Sequence, residues 1–556
     1  MMTLNFVFCI LQLISIITWT KLENVCLDNS VLTCYCQEDT PFVSCFGKNT
    51  TNESFVDWAP FISANHDQNS FTFFNLIRLT YLTFTNFSST FHLHGQSIVL
   101  TFINGMDEIG ENAFQSLHEY SDSSIEITFT SPQNFKLADY AFAQEAYYEI
   151  DIENIQYSHI HNRPYQLNLK SMDGARFYQM NIRNCGNMEF ISDGSPKIEI
   201  IDITVNNCSL TNVSLLIGSL STDLAGLDLT SNHLITIPSL ENFQRLRVID
   251  LKNNFIEEIT VNIFKNIASL WRLDLSNNRI RNIEPDSFVG LRLTELNLDN
   301  NRLASLETLT IDNQTTSFLY PLNESISLLV LSNNFLHNLN PLKHMTNLDN
   351  VTVCCNQIKT LDENIFEKAH KLKSVDLSYN QIERINSMTF NGTIINYLNL
   401  AGNRLSSLET NESLSSKTSL FKNQTSSFLY PISSTISDLS FSNCTNLIEI
   451  NWFIIIKLQT LFYLDLSEVN MTKKSWLYRK TDVNSEDSSI NWKYPPGPRI
   501  ILYGIRLTDN DYCFTKSIVD ILNKTTLIVD IDHPCGEGRN IQLRDGLVMV
   551  RRSASG

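Results

Sequence analysis

Apolar residues along this chain fall into one recurring phrase. Leu246 to Asn254 reads LRVIDLKNN and Leu270 to Asn278 reads LWRLDLSNN; Leu293 to Asn301, Leu372 to Asn380 and Ile395 to Asn403 keep the same order, L-x-x-L-x-L-x-x-N. Within L-x-L, the period of two turns both leucines to one side and the residue between them to the other, as a short strand requires. With the ninth position as a marker, the series is Cys185, Cys208, Asn232, Asn254, Asn278, Asn301, Asn334, Asn356, Asn380, Asn403, Cys444 and Val469. Nine of its eleven spacings are 22 to 25 residues, while 33 before Asn334 and 41 before Cys444 mark insertions. The pattern predicts parallel strands joined by crossovers, with a core that exists only where neighbouring coils meet.

The Asn at the marker can both donate to and accept from backbone groups of adjacent coils that would otherwise be buried unpaired. Phe264, Phe288, Phe366 and Phe390 each stand ten residues after a marker and predict a ring spine on the far side of the core. Upstream, Leu82-x-Phe84, Leu100-x-Phe102, Ile125-x-Ile127-x-Phe129, Ile150-x-Ile152 and Leu167-x-Leu169 read as strands without the Asn, so the solenoid is expected to continue there with irregular turns. A block also recurs: Asn301 to Thr308 as Asn403 to Thr410, and Asn313 to Pro321 as Asn423 to Pro431.

The phrase resembles that of the leucine-rich-repeat family, and the resemblance is to extracellular members such as Toll-like and adhesion-type receptor ectodomains. It implies an α/β-type solenoid, a leucine-rich-repeat horseshoe with a parallel concave β-sheet and a mostly irregular convex side. Leu4 to Trp19 resembles a signal peptide, being apolar, short for a membrane span and followed by Thr20. The organisation expected is a signal peptide at 1–20, an N-terminal cysteine cap at 21–55, degenerate repeats at 56–176 and regular repeats at 177–475. Insertions fall at 302–333 and 404–443, and a C-terminal cap at 476–540 precedes a tail at 541–556.

Cys26, Cys34, Cys36 and Cys45 form C-x7-C-x-C-x8-C, similar to the family's N-terminal cap. By that resemblance Cys26 pairs with Cys36 and Cys34 with Cys45, with a zinc site as the alternative reading. Cys513 and Cys535 are expected to bridge at the other end, where the family's four-cysteine pattern is not kept and a further irregular domain is the alternative. With the signal removed, eleven cysteines remain, so at least one does not pair within the molecule. Cys185 and Cys208, at consecutive markers, are read as free buried thiols replacing Asn. Cys354 falls on the concave face beside Cys355, as an inert surface residue, a vicinal bridge or a cross-linking thiol.

Charge bears on partners, and the leader and sequons make an extracellular location the expectation. A formal charge of −18 with no basic stripe excludes nucleic acid as an expected partner. Fourteen glycosylation sequons occur, at Asn49, Asn52, Asn86, Asn207, Asn212, Asn313, Asn323, Asn350, Asn391, Asn411, Asn423, Asn443, Asn470 and Asn523. No second apolar run approaches membrane length, so the expected location is extracellular and secreted, or the cell surface if an anchor lies outside this chain.

No catalytic motif, cofactor motif or spaced zinc quartet is present, so no catalytic, cofactor or metal residue is assigned. Alternation instead names an outward row: Asp228, Asp250, Trp271 or Arg272 flanking Asp274, Glu295, Asn297, Asp376, Tyr397, Asn399, Tyr463 and Asp465. The candidate ligand-binding residues are Asp250, Trp271, Asp274, Glu295, Asn297, Asp376, Tyr397, Asn399 and Tyr463, with the aromatic side chains as anchors. A glycan at Asn350 would block its stretch of the same face. The resulting expectation is a secreted or cell-surface, non-catalytic recognition protein binding a protein ligand or receptor, with a homodimer as a further partner. The alternative is the ectodomain of a Toll-like, innate-immune or adhesion receptor whose membrane span lies elsewhere.

Overall fold

The computed structural model describes residues 164–309, 315–410 and 427–447 without a break, most of 450–469, and shorter segments, mostly strands, outside those limits. The expected signal peptide, Cys513, Cys535, the tail and the sequons Asn49, Asn52, Asn86, Asn313, Asn411, Asn423, Asn470 and Asn523 lie outside the described residues. The chain divides into two compact units, Met1–Phe255 with Asn266–Ser269, and Ile256–Lys265 with Leu270–Gly556.

The first unit opens on antiparallel strands Asn24–Asp28, Leu32–Cys36 and Phe42–Gly47, with Cys34 and Cys45 as register partners. The side chains of the four cap cysteines lie outside the described residues. Parallel pairing then runs from Phe42–Gly47 through Ser70–Phe74, Ile98–Ile103, Ile125–Thr130, Tyr147–Glu153, Arg176–Arg183, Glu199–Asn206, Gly226–Asp228 and Val248–Asp250. The Leu82 and Leu167 segments do form strands, but outside this sheet: Tyr81–Thr83 pairs with Phe55–Asp57, and Tyr165–Asn168 with Met188–Ile191. An x-L-x-L phrase alone does not say which side of the coil it builds.

The second unit repeats the rung with strands of three residues: Arg272–Asp274, Glu295–Asn297, Leu328–Val330, Asn350–Thr352, Ser374–Asp376, Tyr397–Asn399, Asp438–Ser440 and Tyr463–Asp465. Arg499–Tyr503 and Thr526–Asp530 extend the parallel series. Register is exact from rung to rung, so Leu296, Leu329, Val351, Val375, Leu398 and Leu439 stack as one buried column. Short pairs across the core, Glu258–Ile259 with Asn282–Ile283 and Thr360–Leu361 with Arg384–Ile385, hold the return side. Each unit is therefore a parallel-sheet β-solenoid with little helix, Ser214–Ser219 being a short α-helix.

Two backbone devices hold the rungs together. The marker amides at Asn232, Asn254, Asn278, Asn301, Asn334, Asn356, Asn380 and Asn403 are all buried. Asn334 shows the pattern: its Oδ1 accepts the Leu303 N–H at 2.9 Å, and its Nδ2 donates to Leu298 O at 2.9 Å and Leu331 O at 3.2 Å. One side chain thus satisfies backbone groups of its own coil and the preceding one, which no apolar residue could do. The residue just before the marker takes positive φ in repeat after repeat: Asn184, Asn207, Ser231, Asn253, Asn277, Asn300, Asn333, Cys355, Tyr379, Gly402, Asn443 and Glu468. Asn predominates there because its short polar side chain tolerates the left-handed region.

The phenylalanine spine forms in two runs. Phe264 stacks on Phe288 at 5.8 Å, and Phe366 on Phe390 at 5.9 Å. Each run is closed by a ring from the duplicated insertion, Phe318 edge-on to Phe288 at 6.0 Å and Phe428 to Phe390 at 6.3 Å. The two copies share their anchoring too: Ser317 Oγ donates to Leu306 O at 2.6 Å and Ser427 Oγ to Leu408 O at 2.8 Å, each just before a short 3-10 turn, Tyr320–Leu322 and Tyr430–Ile432. The Ser-Phe-Leu-Tyr-Pro phrase therefore plugs the core and does not project from it.

The reading of Cys185 and Cys208 as free thiols is overturned: they form a disulfide. The expectation rested on side chains leaving adjacent rungs nearly parallel. In the fold the two Cα atoms stand 4.5 Å apart, inside the span a disulfide bridges. Cys354, Cys355 and Cys444 are free, and the vicinal bridge is absent. Cys444 does occupy a marker as a buried thiol, donating from Sγ to Leu400 O at 3.2 Å, and burial pushes its thiol pKa up to about 11.

Candidate functional site

The open face of the second unit's sheet is built from the positions that flank each inward leucine. Because the rungs are in register, these positions line up as two columns. The first runs Arg272, Glu295, Leu328, Asn350, Ser374, Tyr397, Asp438, Tyr463, and the second Asp274, Asn297, Val330, Thr352, Asp376, Asn399, Ser440, Asp465. Glu295, Asn297, Asp376, Tyr397, Asn399 and Tyr463 all stand in these columns, as alternation required. Asp228 and Asp250 hold the equivalent place in the first unit.

The second column is largely occupied with its own structure. Asp274 is buried, at 9% exposure: Oδ1 accepts the Ser276 N–H at 2.9 Å and Oδ2 the Asn297 amide at 2.9 Å. The duplicated copy does the same, with Asp376 accepting Ser378 N–H at 2.9 Å and the Asn399 amide at 3.1 Å. Asp228, Asp250 and Asp465 also accept the N–H two residues on. The Asp274 and Asp376 carboxylates thus close the turns that end their strands and tie one rung to the next.

The exposed aromatic side chains lie at the first column and just before it. Tyr397 is 41% exposed on its strand, and Trp271 is 39% exposed one residue ahead of the Arg272–Asp274 strand. Phe462, immediately before Tyr463, is 44% exposed and was missed by strict alternation. Asp438 was missed because it follows the 41-residue gap, where Phe441 replaces leucine and Cys444 replaces Asn. Burial is the main cause that lifts the Tyr397 phenol above its ordinary pKa; the Asp376 and Asp438 carboxylates add to it, while the Asn399 hydrogen bond opposes. Cys355 is raised to about 11 by burial first, then by Cys354 and nearby carboxylates, so it is a poor nucleophile. Among the described residues no group of acids, histidines and cysteines is arranged to hold a metal, and no helix is long and apolar enough to cross a membrane.

Six described sequons are distributed over the coils. Asn207, Asn212 and Asn391 are exposed, and Asn323, Asn350 and Asn443 half-buried. Asn350 stands in the first column between Leu328 and Ser374.

This rung, with its buried asparagine and parallel sheet, has the architecture of a leucine-rich-repeat solenoid. The leucine rich repeat family's sequence profile matches residues 244–303 and 346–410. Human leucine-rich repeats and immunoglobulin-like domains protein 2 is 34% identical over 125 residues, 22% of this chain and 11% of that protein. Zebrafish (Danio rerio) leucine-rich repeat-containing protein 3 is 34% identical over 102 residues, 18% and 38% of the two chains. Human oligodendrocyte-myelin glycoprotein is 26% identical over 190 residues, 32% and 42%. The chain thus spans less than half the length of these relatives.

Among solved structures, that of a TLR13–ssRNA13 complex superposes with a TM-score of 0.54 at 16% identity, covering 84% of this chain and 65% of that one. The Drosophila Toll–Spatzle complex gives 0.53 at 15% identity, covering 92% and 66%. These likenesses establish the fold.

Proposed function

We propose that the protein is a secreted or cell-surface recognition protein, without catalytic activity, that binds a protein partner through the open face of its second unit's sheet. The observation that carries this reading is the in-register first column, with Tyr397 exposed on a strand fixed from both sides. A rigid scaffold lets an aromatic side chain desolvate against a partner at little entropic cost. Extracellular residence is supported by the apolar N-terminal run, the sequons and the Cys185–Cys208 disulfide. A sugar at Asn350 covers the middle of the column and leaves two open ends, one at Trp271 and one from Tyr397 to Tyr463.

Affinity capture from culture medium with the glycosylated full chain, repeated with Trp271→Ala and Tyr397→Ala, tests this. One variant or both is expected to lose the captured protein while keeping the wild-type thermal transition. Unchanged capture by both removes the open face as the binding surface.

A further inference from the structure

Two of the sequons carry cysteine as their middle residue, and both stand at the same place in their repeats. Asn207-Cys208-Ser209 and Asn443-Cys444-Thr445 each put the cysteine at the marker and the acceptor asparagine just before it. Both asparagines hold positive φ, 52° and 55°. The two differ in one covalent respect: Cys208 is bridged to Cys185, whereas Cys444 is a free thiol.

The bridge pins the first sequon at its centre. Cys208 is fully buried, and its Cα lies 4.5 Å from that of Cys185, one marker earlier. Ser209 also takes positive φ, 54°, so the acceptor and the hydroxyl residue flank the cross-link in left-handed conformations. The Asn207 amide donates to Asn184 Oδ1 at 2.8 Å, and the Asn184 amide to Asn154 Oδ1 at 3.2 Å, an exposed relay across successive coils of the first unit. Asn207 itself is exposed, so the folded surface has room for a sugar and exclusion has to act earlier, while the chain is being made.

We infer that the Cys185–Cys208 bridge keeps Asn207 free of sugar, while Asn443, beside the unbridged Cys444, is glycosylated. The inference rests on the extracellular reading and adds which of two matching sequons is modified. The two reactions draw on different co-reactants. Bridging passes two electrons and two protons from the thiols to a disulfide of an oxidoreductase. Sugar transfer breaks the bond from the anomeric carbon to a lipid-borne pyrophosphate and joins that carbon to Asn207 Nδ2, which gives up one proton. Transfer reads the amide and the hydroxyl of the sequon together on a mobile segment, and a cross-link through the residue between them removes that mobility. The loop to be closed is short: 23 residues separate the cysteines, so at about 5–20 residues per second the second follows the first by about one to five seconds. The bridge therefore needs nothing downstream to have folded, and it leaves the Asn154–Asn184–Asn207 relay bare.

The test expresses the full chain in a secreting animal-cell line. Peptide-N-glycosidase release in heavy-oxygen water marks each formerly sugared Asn as Asp, and tandem mass spectrometry of cell-associated and medium chains reads the fraction. Wild-type chain should carry sugar at Asn391 and Asn443, and at under about a fifth of Asn207. Cys185→Ser leaves the sequon untouched and removes the bridge, and should raise Asn207 occupancy about threefold or more. Cys208→Val, which gives the sequon the same Asn-Val-Ser order as the one at Asn212, should do likewise. Sugar is transferred before folding, so a variant that folds poorly still gives its reading from the cell-associated chain. Equal occupancy of Asn207 with and without Cys185, high or low, overturns the inference. So does a bare Asn443 beside a sugared Asn391, because the cysteine itself and not the bridge would then exclude transfer. Sugar at none of the described sequons would remove the extracellular reading, and this inference with it.

Discussion

Replacing Asn334 by alanine asks how much of the solenoid's stability lies in a polar side chain at the centre of its core. The substitution removes the acceptor of the Leu303 N–H at 2.9 Å and the donor to Leu298 O and Leu331 O at 2.9 and 3.2 Å. Asn334 is only 4% exposed, so water cannot take over these groups without opening the rung. Stranding the buried N–H costs about 1–3 kcal/mol, and each lost carbonyl bond about 1 kcal/mol net. The sum is a loss of about 3–5 kcal/mol. Urea unfolding of the full chain, followed by far-ultraviolet circular dichroism, should show it in the second unit's transition, with the slope of that transition retained. Asn333→Ala is the control: its amide donates to the half-buried Asp299 carboxylate and its φ is 52°, so the lost bond and the backbone strain on alanine together should cost about 1–2 kcal/mol, less than at Asn334. A loss below about 1 kcal/mol for Asn334→Ala would refute the reasoning, because the amide would then be bridging groups that have other partners.

Other consequences are smaller or more local. Phe288→Ala empties a fully buried place between Phe264 and Phe318 and should cost about 3–5 kcal/mol by thermal or denaturant unfolding, whereas Phe335→Ala, at an exposed ring, should cost under about 0.5 kcal/mol. Cys355→Asn should raise the unfolding midpoint, since Cys355 holds φ of 59° where other repeats use Asn; the relief is about 1 kcal/mol. Non-reducing peptide mapping should recover a Cys185–Cys208 linked peptide, and closing a 23-residue separation should be worth about 3 kcal/mol to the first unit. Separate recovery of the two peptides from unreduced protein would contradict the bridge. Alkaline difference absorbance should show one fewer late-titrating phenol in Tyr397→Phe. The raised Tyr397 pKa favours the neutral folded form, so its stability contribution is present below the unfolded phenol pKa and fades as pH rises through the folded one.

Where the sequence was legible, a single residue type had a single job. The marker Asn and the L-x-L pair announce their rung because amide and inward leucine are each required at one place. Before residue 176 the strands form without the marker Asn, so Leu167 reads as a sheet residue although its strand lies on the return side. Alternation found Tyr397 and Tyr463 but could not separate contact residues from turn-closing ones. Asp274 and Asp376 look alike in L-D-L-S and V-D-L-S, and only the Asn297 and Asn399 amides one rung on show that both are engaged. The Cys185–Cys208 bridge was hidden because a thiol at a marker can also act alone, as Cys444 does. Phe318 and Phe428 close the two spines from irregular loops, where no fixed offset could point to them.

The account's central claim is that recognition occurs on the open face of the second unit's sheet, and hydrogen–deuterium exchange of the glycosylated chain with and without its captured protein tests it most directly. Slowed exchange is expected in peptides spanning 397–403, 438–444 and 463–469, with 258–265 and 360–370 on the return side unchanged. Protection confined to the return side, with those three rungs exchanging as in the free protein, would contradict it.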